Sequence, residues 1–246
     1  MIVNRQRVKA ALAALVLALV LAPGLVSFTE AGQPKGPPLM MVTPPSGEKA
    51  GLRGGTANVR LLGANDLHGN LEPPDPVDGR RAGGAAYLAA YMDRYDRGAD
   101  NTVRVHAGDM VSASPLISAY FHDEPTVYAM NEMGFDIGTL GNHEFDEGRE
   151  EMLRLLRGGQ RTDTGGRPAD GSDPDFPGAR FPYVAANTIY RETGGTVLPP
   201  YQVLERDGVR IGFIGVTTLE TPDIIIPDAA EEFRFLDISE AVNRNA

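Results

Sequence analysis

Residues 137–146 read IGTLGNHEFD, and this stretch decides the fold class because a short apolar strand runs directly into a polar cluster. Residues 137–140 have the length and composition of a buried strand, and Gly141 allows a sharp turn after it. In folds that alternate strands and helices, ligand sites lie beyond the carboxyl ends of strands, where loops converge on a rigid sheet. The stretch therefore predicts an α/β fold with a functional site at this strand end.

Two earlier strands end in the same kind of polar cluster. Residues 58–64 run into Asp66 and His68, and residues 102–107 run into Asp109. The segments between and after these strands show the periodicity of further helices and strands. We predict helices over residues 84–94, 115–133, 149–156 and 237–246, strands over residues 183–186, 201–205 and 209–216, and a surface loop over residues 158–180.

The beginning of the chain has the composition of a targeting segment. Basic residues at positions 5, 7 and 9 precede an unbroken apolar run over residues 10–22. The run is shorter than the roughly 20 residues that a membrane span needs, so residues 1–31 are predicted to be a signal peptide and not a retained anchor. Residues 32–57 are rich in Pro and Gly and are predicted to be a flexible linker, which leaves residues 58–246 as the folded domain. We therefore expect an exported protein of the periplasm, the cell surface or the medium, with no membrane span after cleavage.

Charge and cysteine content narrow the classes of partner and chemistry. The formal net charge of −10 argues against a nucleic-acid polymer as the main partner, because phosphate-binding surfaces are basic. A phosphorylated small molecule stays possible if metal ions supply positive charge locally. The chain has no cysteine, which excludes disulfides, thiolate catalysis and Cys-ligated zinc.

The first two polar clusters contain candidate metal ligands. Asp66 and His68 are two residues apart, so in an extended segment both side chains point to one side and offer a carboxylate and an imidazole to a divalent metal. For this pair taken alone, a turn cap and a solvent-exposed histidine are the favoured alternative. Asp109 is either a plain helix cap or a carboxylate that bridges two cations.

Asn142, His143 and Asp146 form the richest cluster. An amide oxygen is a neutral metal ligand, and His143 is suited to act as an acid or hydrogen-bond donor toward a phosphate. Asp146 can orient the His143 ring and favour its protonated form. A Gly-rich turn that opens a helix accounts for Asn142 but poorly for the other two residues. Of the remaining histidines, we expect His106 to pack or bond to backbone and His122 to be solvated, neither of them as a metal ligand.

The order of the three clusters, N-D-x-H-G, A-G-D and G-N-H-E-F-D, resembles that of the calcineurin-like metallophosphoesterases. The local sequence over residues 64–70, 83–84, 141–146 and 211–217 is similar to the branch of exported 5′-nucleotidases and 2′,3′-cyclic-nucleotide phosphodiesterases. The resemblance covers roughly residues 58–246. It implies a metallophosphoesterase α/β/β/α four-layer sandwich.

The resemblance also implies a reaction and a set of roles. The reaction is the hydrolysis of a small nucleotide phosphoester by a hydroxide that two divalent cations activate, without a covalent phosphoenzyme. The oxygen and nitrogen ligands suit Mn²⁺, Zn²⁺ or Fe²⁺. The resemblance assigns the first metal to Asp66 and His68, the bridging position to Asp109, the second metal to Asn142, and the catalytic dyad to His143 and Asp146.

Part of the family pattern is missing from the sequence. The family has further histidine ligands on two later strands and a separate C-terminal domain that grips the nucleoside, but this chain has no histidine after His143. We therefore expect an N-terminal fragment of a longer enzyme, with the sandwich incomplete at its C-terminal end. Two alternatives stay open. One is a catalytically inactive fragment that binds metal or phosphate, and the other is the same scaffold acting on a nucleotide sugar, a dinucleotide or a sulfur-linked group.

Overall fold

The structure is a computed structural model that describes residues 17–19, 57–74, 76, 78–99, 101–162, 167–206 and 208–246. The predicted signal peptide and linker lie outside the described residues, apart from residues 17–19 and residue 57. Within the described part of the chain, no helix is long and apolar enough to cross a membrane.

A four-stranded parallel sheet forms the centre of the domain. Its strands follow one another in chain order, so each connection carries the chain over one face of the sheet. The strands are β2 (Arg60–Ala64), β3 (Thr102–His106), β4 (Ile137–Thr139) and β5 (Tyr183–Val184). All neighbouring pairs are parallel, so the carboxyl ends of the strands meet at one edge of the sheet.

Three helices cover one face of this sheet, as the helical periodicity of the sequence predicts. They are α1 (Ala85–Asp96), α3 (Glu124–Glu132) and α4 (Gly148–Arg157). Side chains alternate along a strand, and in β2 Leu62 belongs to the core beneath the helices while Leu61 packs on the opposite side. Met92, Val127 and Met152 supply helix side chains to the same core.

The opposite face of the parallel sheet packs on a second, antiparallel sheet. A hairpin of β7 (Tyr201–Arg206) and β8 (Val209–Ile214) forms this sheet, and β1 (Leu17–Leu19) pairs with the other edge of β8. Ile211 and Phe213 of β8 pack against side chains of β3, β4 and β5. Helix α7 (Ile238–Asn245) packs through Ala241 on Ile214, which points away from the face of Phe213. The layers therefore follow the predicted order of helix, sheet, sheet and helix.

Several short elements differ from the prediction. The predicted helix over residues 115–133 is divided into α2 (Leu116–Ala119) and α3, because His122 and Asp123 adopt positive φ angles of 54° and 58°. Four further elements were not predicted. They are the short antiparallel strands β6 (Thr188–Tyr190) and β9 (Phe233–Phe235), which pair with each other, and the short helices α5 (Thr221–Ile224) and α6 (Pro227–Glu232). The described part of residues 158–180 contains neither helix nor strand, which confirms the predicted loop.

Candidate metal centre

The loops that follow β2 and β3 run side by side at the carboxyl edge of the parallel sheet. The backbone N–H groups of Asp66, His68 and Gly69 donate to the carbonyls of residues 108, 109 and 110 at 3.2, 3.1 and 3.1 Å. This short ladder continues the pairing of the two strands beyond their ends. It brings the first two predicted polar clusters together.

Asp66, His68 and Asp109 form a compact cluster of potential metal ligands. One ligand atom from each lies within 4.8 Å of the other two, and His68 Nε2 is 3.9 Å from Asp66 Oδ1. The predicted extended conformation of the Asp66–His68 segment is wrong, because the φ angles of these residues are 55° and 44°. The side chains converge nevertheless, since the ladder to residues 108–110 fixes the segment. Two carboxylates and an imidazole form a donor set that fits a borderline divalent cation.

A backbone carbonyl fixes the tautomer of His68. The Nδ1 atom lies 2.9 Å from the carbonyl oxygen of Ser112. A carbonyl can only accept a hydrogen bond, so Nδ1 carries the proton and Nε2 keeps its lone pair. Nε2 is the ring nitrogen near Asp66, and it is therefore the atom available to a metal.

His143 and Asp146 lie beside this cluster as a hydrogen-bonded pair. Asp146 Oδ2 is 2.6 Å from His143 Nδ1, and the backbone N–H of His143 donates to Asp109 Oδ1 at 2.9 Å. The His143 ring meets the His68 ring edge to face, with centroids 4.6 Å apart. Asn142 is half-buried, and no side-chain hydrogen bond joins it to another described residue. The turn over residues 142–146 thus adjoins the cluster of the other two loops.

Glu144 is a buried carboxylate whose role the sequence analysis missed. Its oxygens accept hydrogen bonds from the backbone N–H groups of Asp109, Met110 and Gly141 at 2.9, 2.9 and 2.6 Å. Burial and the nearby charge of Asp109 raise the pKa of Glu144 to about 7. Glu144 therefore ties the loop after β3 to the loop after β4. No local signal distinguishes such a residue from an ordinary polar turn residue, because two of its three partners come from 34 and 35 residues earlier in the chain.

Two glycines permit the close approach of these loops. A Cβ atom at Gly108 would overlap the backbone of Gly141, and a Cβ atom at Gly141 would overlap the carboxylate of Asp109. Gly108 also has a φ of 93°, which disfavours any side chain. The glycines of the sequence motifs therefore allow the two loops to lie close together, and they also allow the loops to turn.

The other two histidines lie outside the cluster. His106 is fully buried against aromatic rings, and its Nδ1 accepts from the backbone N–H of Gly108 at 3.3 Å, which confirms the prediction that it packs and bonds to backbone. Burial lowers the pKa of His106 to about 3, so the ring is neutral. The prediction of a solvated His122 is confirmed only in part, since the side chain is half-buried and its Nε2 lies 2.9 Å from the carbonyl oxygen of Asp170.

A parallel sheet with carboxylates and histidines gathered at its carboxyl edge suits a metal-dependent enzyme. The family model described as calcineurin-like phosphoesterase matches residues 59–209. The chain therefore belongs to the calcineurin-like phosphoesterase family.

Three named proteins show the range of its relatives. The chain is 40% identical over 196 residues to an endonuclease of Bacillus subtilis, a match that covers 76% of this chain and 15% of that protein. It is 38% identical over 214 residues to a cell wall protein of Listeria monocytogenes, covering 82% of this chain and 27% of that protein. The structure of a 5′-nucleotidase precursor from Thermus thermophilus matches with a TM-score of 0.56 and 29% identity, over 75% of this chain and 33% of that one. The chain thus spans 15% and 27% of the lengths of the two curated relatives, the endonuclease and the cell wall protein.

Proposed function

We propose that this chain carries the first part of the active site of an exported, metal-dependent hydrolase of nucleotide phosphoesters. The observation that carries the proposal is the cluster of Asp66, His68 and Asp109 with the His143–Asp146 pair beside it. Family membership supports phosphoester hydrolysis as the reaction, and the similarity to a 5′-nucleotidase supports a nucleotide as the substrate. The chain spans 15%, 27% and 33% of the lengths of the three proteins named above, so the proposal concerns the part of the site that its own residues form.

The residues of this chain divide into those that hold metal and those that act on the phosphate. Asp66 and His68 would hold one cation, Asp109 would bridge to a second, and Asn142 would contribute its amide oxygen to the second. When bound, two divalent cations such as Mn²⁺, Zn²⁺ or Fe²⁺ supply positive charge to the phosphate and a nucleophile at neutral pH.

His143 is placed to exchange a proton with the substrate. Its Nδ1 is engaged by Asp146 at 2.6 Å, so only Nε2 is available for the substrate. The Asp146 carboxylate fixes the orientation of the His143 ring. Protonated Nε2 would donate to a phosphate oxygen or to the leaving alkoxide.

Export to the periplasm, the cell surface or the medium forms part of the same proposal. It rests on the composition of residues 1–31, and the similarity to a protein named for the cell wall supports it. Mass analysis of the protein secreted by an expressing cell tests it. The expected product lacks roughly the first thirty residues, and with them β1 and its pairing with β8, and full-length protein retained in the cytoplasm would contradict it.

Metal binding and turnover test the proposed chemistry. The chain is freed of metal with EDTA and titrated with Mn²⁺ in a calorimeter. It is then assayed on a chromogenic phosphodiester, on 5′-AMP, on 2′,3′-cyclic AMP and on DNA. Asp109→Ala should lower Mn²⁺ affinity more than 10–100-fold, and His143→Ala should slow turnover about 10²–10⁴-fold at unchanged metal content. Wild-type behaviour of both variants would refute the proposal.

The same assay separates the remaining candidates. Metal binding without turnover favours an inactive binding fragment, and turnover of a different ester redirects the substrate assignment. DNA is included because the relative with 40% identity is named an endonuclease. The net charge of −10 disfavours a polynucleotide substrate.

A further inference from the structure

The loop between β3 and α2 contains Asp109 and adopts an unusual backbone conformation. Asp109, Ser112 and Ala113 all have positive φ angles, of 53°, 63° and 50°. Residues other than glycine adopt such angles only where the surrounding structure holds them. Glu144 holds the beginning of this loop, as described above. A second buried carboxylate holds its middle.

That carboxylate belongs to Asp123, the residue at the N-cap position of α3. Aspartate at this position ordinarily accepts from an N–H of the first helical turn, but Asp123 makes no such bond. Its side chain is directed to the loop instead. Oδ2 accepts from the backbone N–H of Ser112 at 2.8 Å, and Oδ1 accepts from the Ser118 hydroxyl at 2.7 Å. Asp123 is only 8% exposed, so both bonds are shielded from solvent.

The residue that Asp123 holds is the one that orients His68. Ser112 receives the Asp123 bond at its N–H and accepts the His68 Nδ1 proton at its carbonyl, at 2.9 Å. The Asp123 bond therefore anchors the N–H of the same residue whose carbonyl contacts the His68 ring, in a segment whose φ of 63° needs such support. The carboxylate of Asp123 and the imidazole of His68 are therefore connected through a single residue.

We propose that Asp123 is a positioning residue for the metal centre: by holding Ser112, it keeps the proton of His68 on Nδ1 and leaves Nε2 free for a metal. The inference rests on the proposed function in so far as it concerns a metal. The position of the proton on His68 can be measured without one. A residue that only stabilises the α2–α3 turn would leave that proton where it is.

Two substitutions at position 123 separate these roles. Asp123→Gly removes the carboxylate and suits the φ of 58°, so the backbone is not strained. Asp123→Asn retains an oxygen for the Ser112 N–H, and its amide can donate to the Ser118 hydroxyl. Ser118 can then donate to Thr126 Oγ1, which lies 2.6 Å away. Asn should therefore rescue what Gly loses. Ser118→Ala is the matched control, because it removes the other bond of the carboxylate and leaves the Ser112 bond in place.

The first measurement is the tautomer of His68 in metal-free protein, from long-range ¹H–¹⁵N NMR spectra. The chain has four histidines, and His68→Gln identifies the signal. We expect the Nδ1–H form in the wild type, Asp123→Asn and Ser118→Ala, and a mixture of tautomers in Asp123→Gly. The second measurement is Mn²⁺ affinity by calorimetry. It should fall about 10–100-fold in Asp123→Gly and change little in the other two variants.

The outcomes distinguish this inference from the proposed function. An unchanged tautomer and unchanged affinity in Asp123→Gly would overturn the inference, as would an Nε2–H form in the wild type. Loss of the folded spectrum in Asp123→Gly would also overturn it, because Asp123 would then serve the fold and not the centre. If the wild type binds no Mn²⁺ while the tautomer still responds to position 123, the proposed function fails and the positioning of His68 by Asp123 stands.

Discussion

Replacement of Glu144 by alanine removes the acceptor that three backbone N–H groups share. Asp109, Met110 and Gly141 donate to this carboxylate at 2.6–2.9 Å, and the side chain is 4% exposed. An unsatisfied buried donor costs about 1–3 kcal/mol, so three of them at the lower end of this range cost about 3 kcal/mol. The loops after β3 and β4 should also separate, because this carboxylate joins them. We therefore expect the free energy of unfolding to fall by about 3 kcal/mol or more.

Urea unfolding of the metal-free chain at about pH 5 measures this loss, because the pKa of about 7 keeps Glu144 protonated in the folded chain there, and the cost of its buried charge at higher pH does not offset the lost hydrogen bonds. With slopes of about 1–3 kcal/mol per molar urea, the midpoint should fall by about 1 M or more. Glu150→Ala is the matched control, since Glu150 lies exposed on α4 and should change stability by less than about 0.5 kcal/mol. A loss below about 1 kcal/mol in Glu144→Ala, with the slope unchanged, would refute the assignment of Glu144 as the tie between the two loops.

Three further predictions follow from buried groups elsewhere in the domain. His106 has a folded-state pKa of about 3, against 6.5 in the unfolded chain. The stability gained by burying its neutral ring is therefore complete above pH 6.5 and is lost as the pH falls, because the unfolded chain then binds a proton that the folded chain does not. Between pH 7.5 and 4.5 the free energy of unfolding of the wild type should fall by about 3 kcal/mol more than that of His106→Phe. Parallel pH profiles of the two proteins in urea unfolding would contradict this. A Cβ atom at Gly138 would overlap the His106 ring. Gly138→Ala should therefore lower the melting temperature in calorimetry by several degrees. An unchanged melting temperature would show that the ring can move aside. The buried Arg154 side chain donates hydrogen bonds to both Glu124 and Glu151. Arg154→Met leaves these two carboxylates without that partner, so it should destabilise the domain by about 3–5 kcal/mol in the same urea assay. A loss below about 1 kcal/mol would show that the two carboxylates find other partners.

The central strands could be predicted because their signals are local. Each of β2, β3 and β4 is a short apolar run that ends at a glycine or a polar cluster, and the structure places each within two residues of the prediction. The carboxyl ends of parallel strands meet at one edge, so the convergence of the polar clusters followed from the same pattern. The strands β7 and β8 were predicted from local signals in the same way.

The elements that the sequence did not predict depend on contacts between distant residues. β6 and β9 are three residues long, and they pair across more than forty intervening residues. The break between α2 and α3 comes from positive φ angles at His122 and Asp123, and bonds from Asp123 to Ser112 and Ser118 stabilise it. Neither feature has a periodic signal.

In the candidate site, too, some residues could be predicted from the sequence and others could not. The order of the three polar clusters identified the potential metal ligands, whereas Asp66, His68 and Asp109 taken singly were also explained as turn or helix caps and a solvent-exposed histidine. The residues that position them, Glu144 and Asp123, were not predicted because a buried carboxylate and a solvated one look alike in a sequence. Their role depends on which backbone N–H groups approach them, and only the folded chain shows that.

Diffraction from crystals soaked in Mn²⁺, recorded with the anomalous signal of manganese, tests the metal centre most directly. We expect a peak about 2.0–2.2 Å from a carboxylate oxygen of Asp66, from His68 Nε2 and from a carboxylate oxygen of Asp109. The same experiment on Asp109→Ala should show a much weaker peak or none. A strong peak elsewhere, or a peak in the wild type that persists unchanged in Asp109→Ala, would contradict the assignment of these residues as the metal centre.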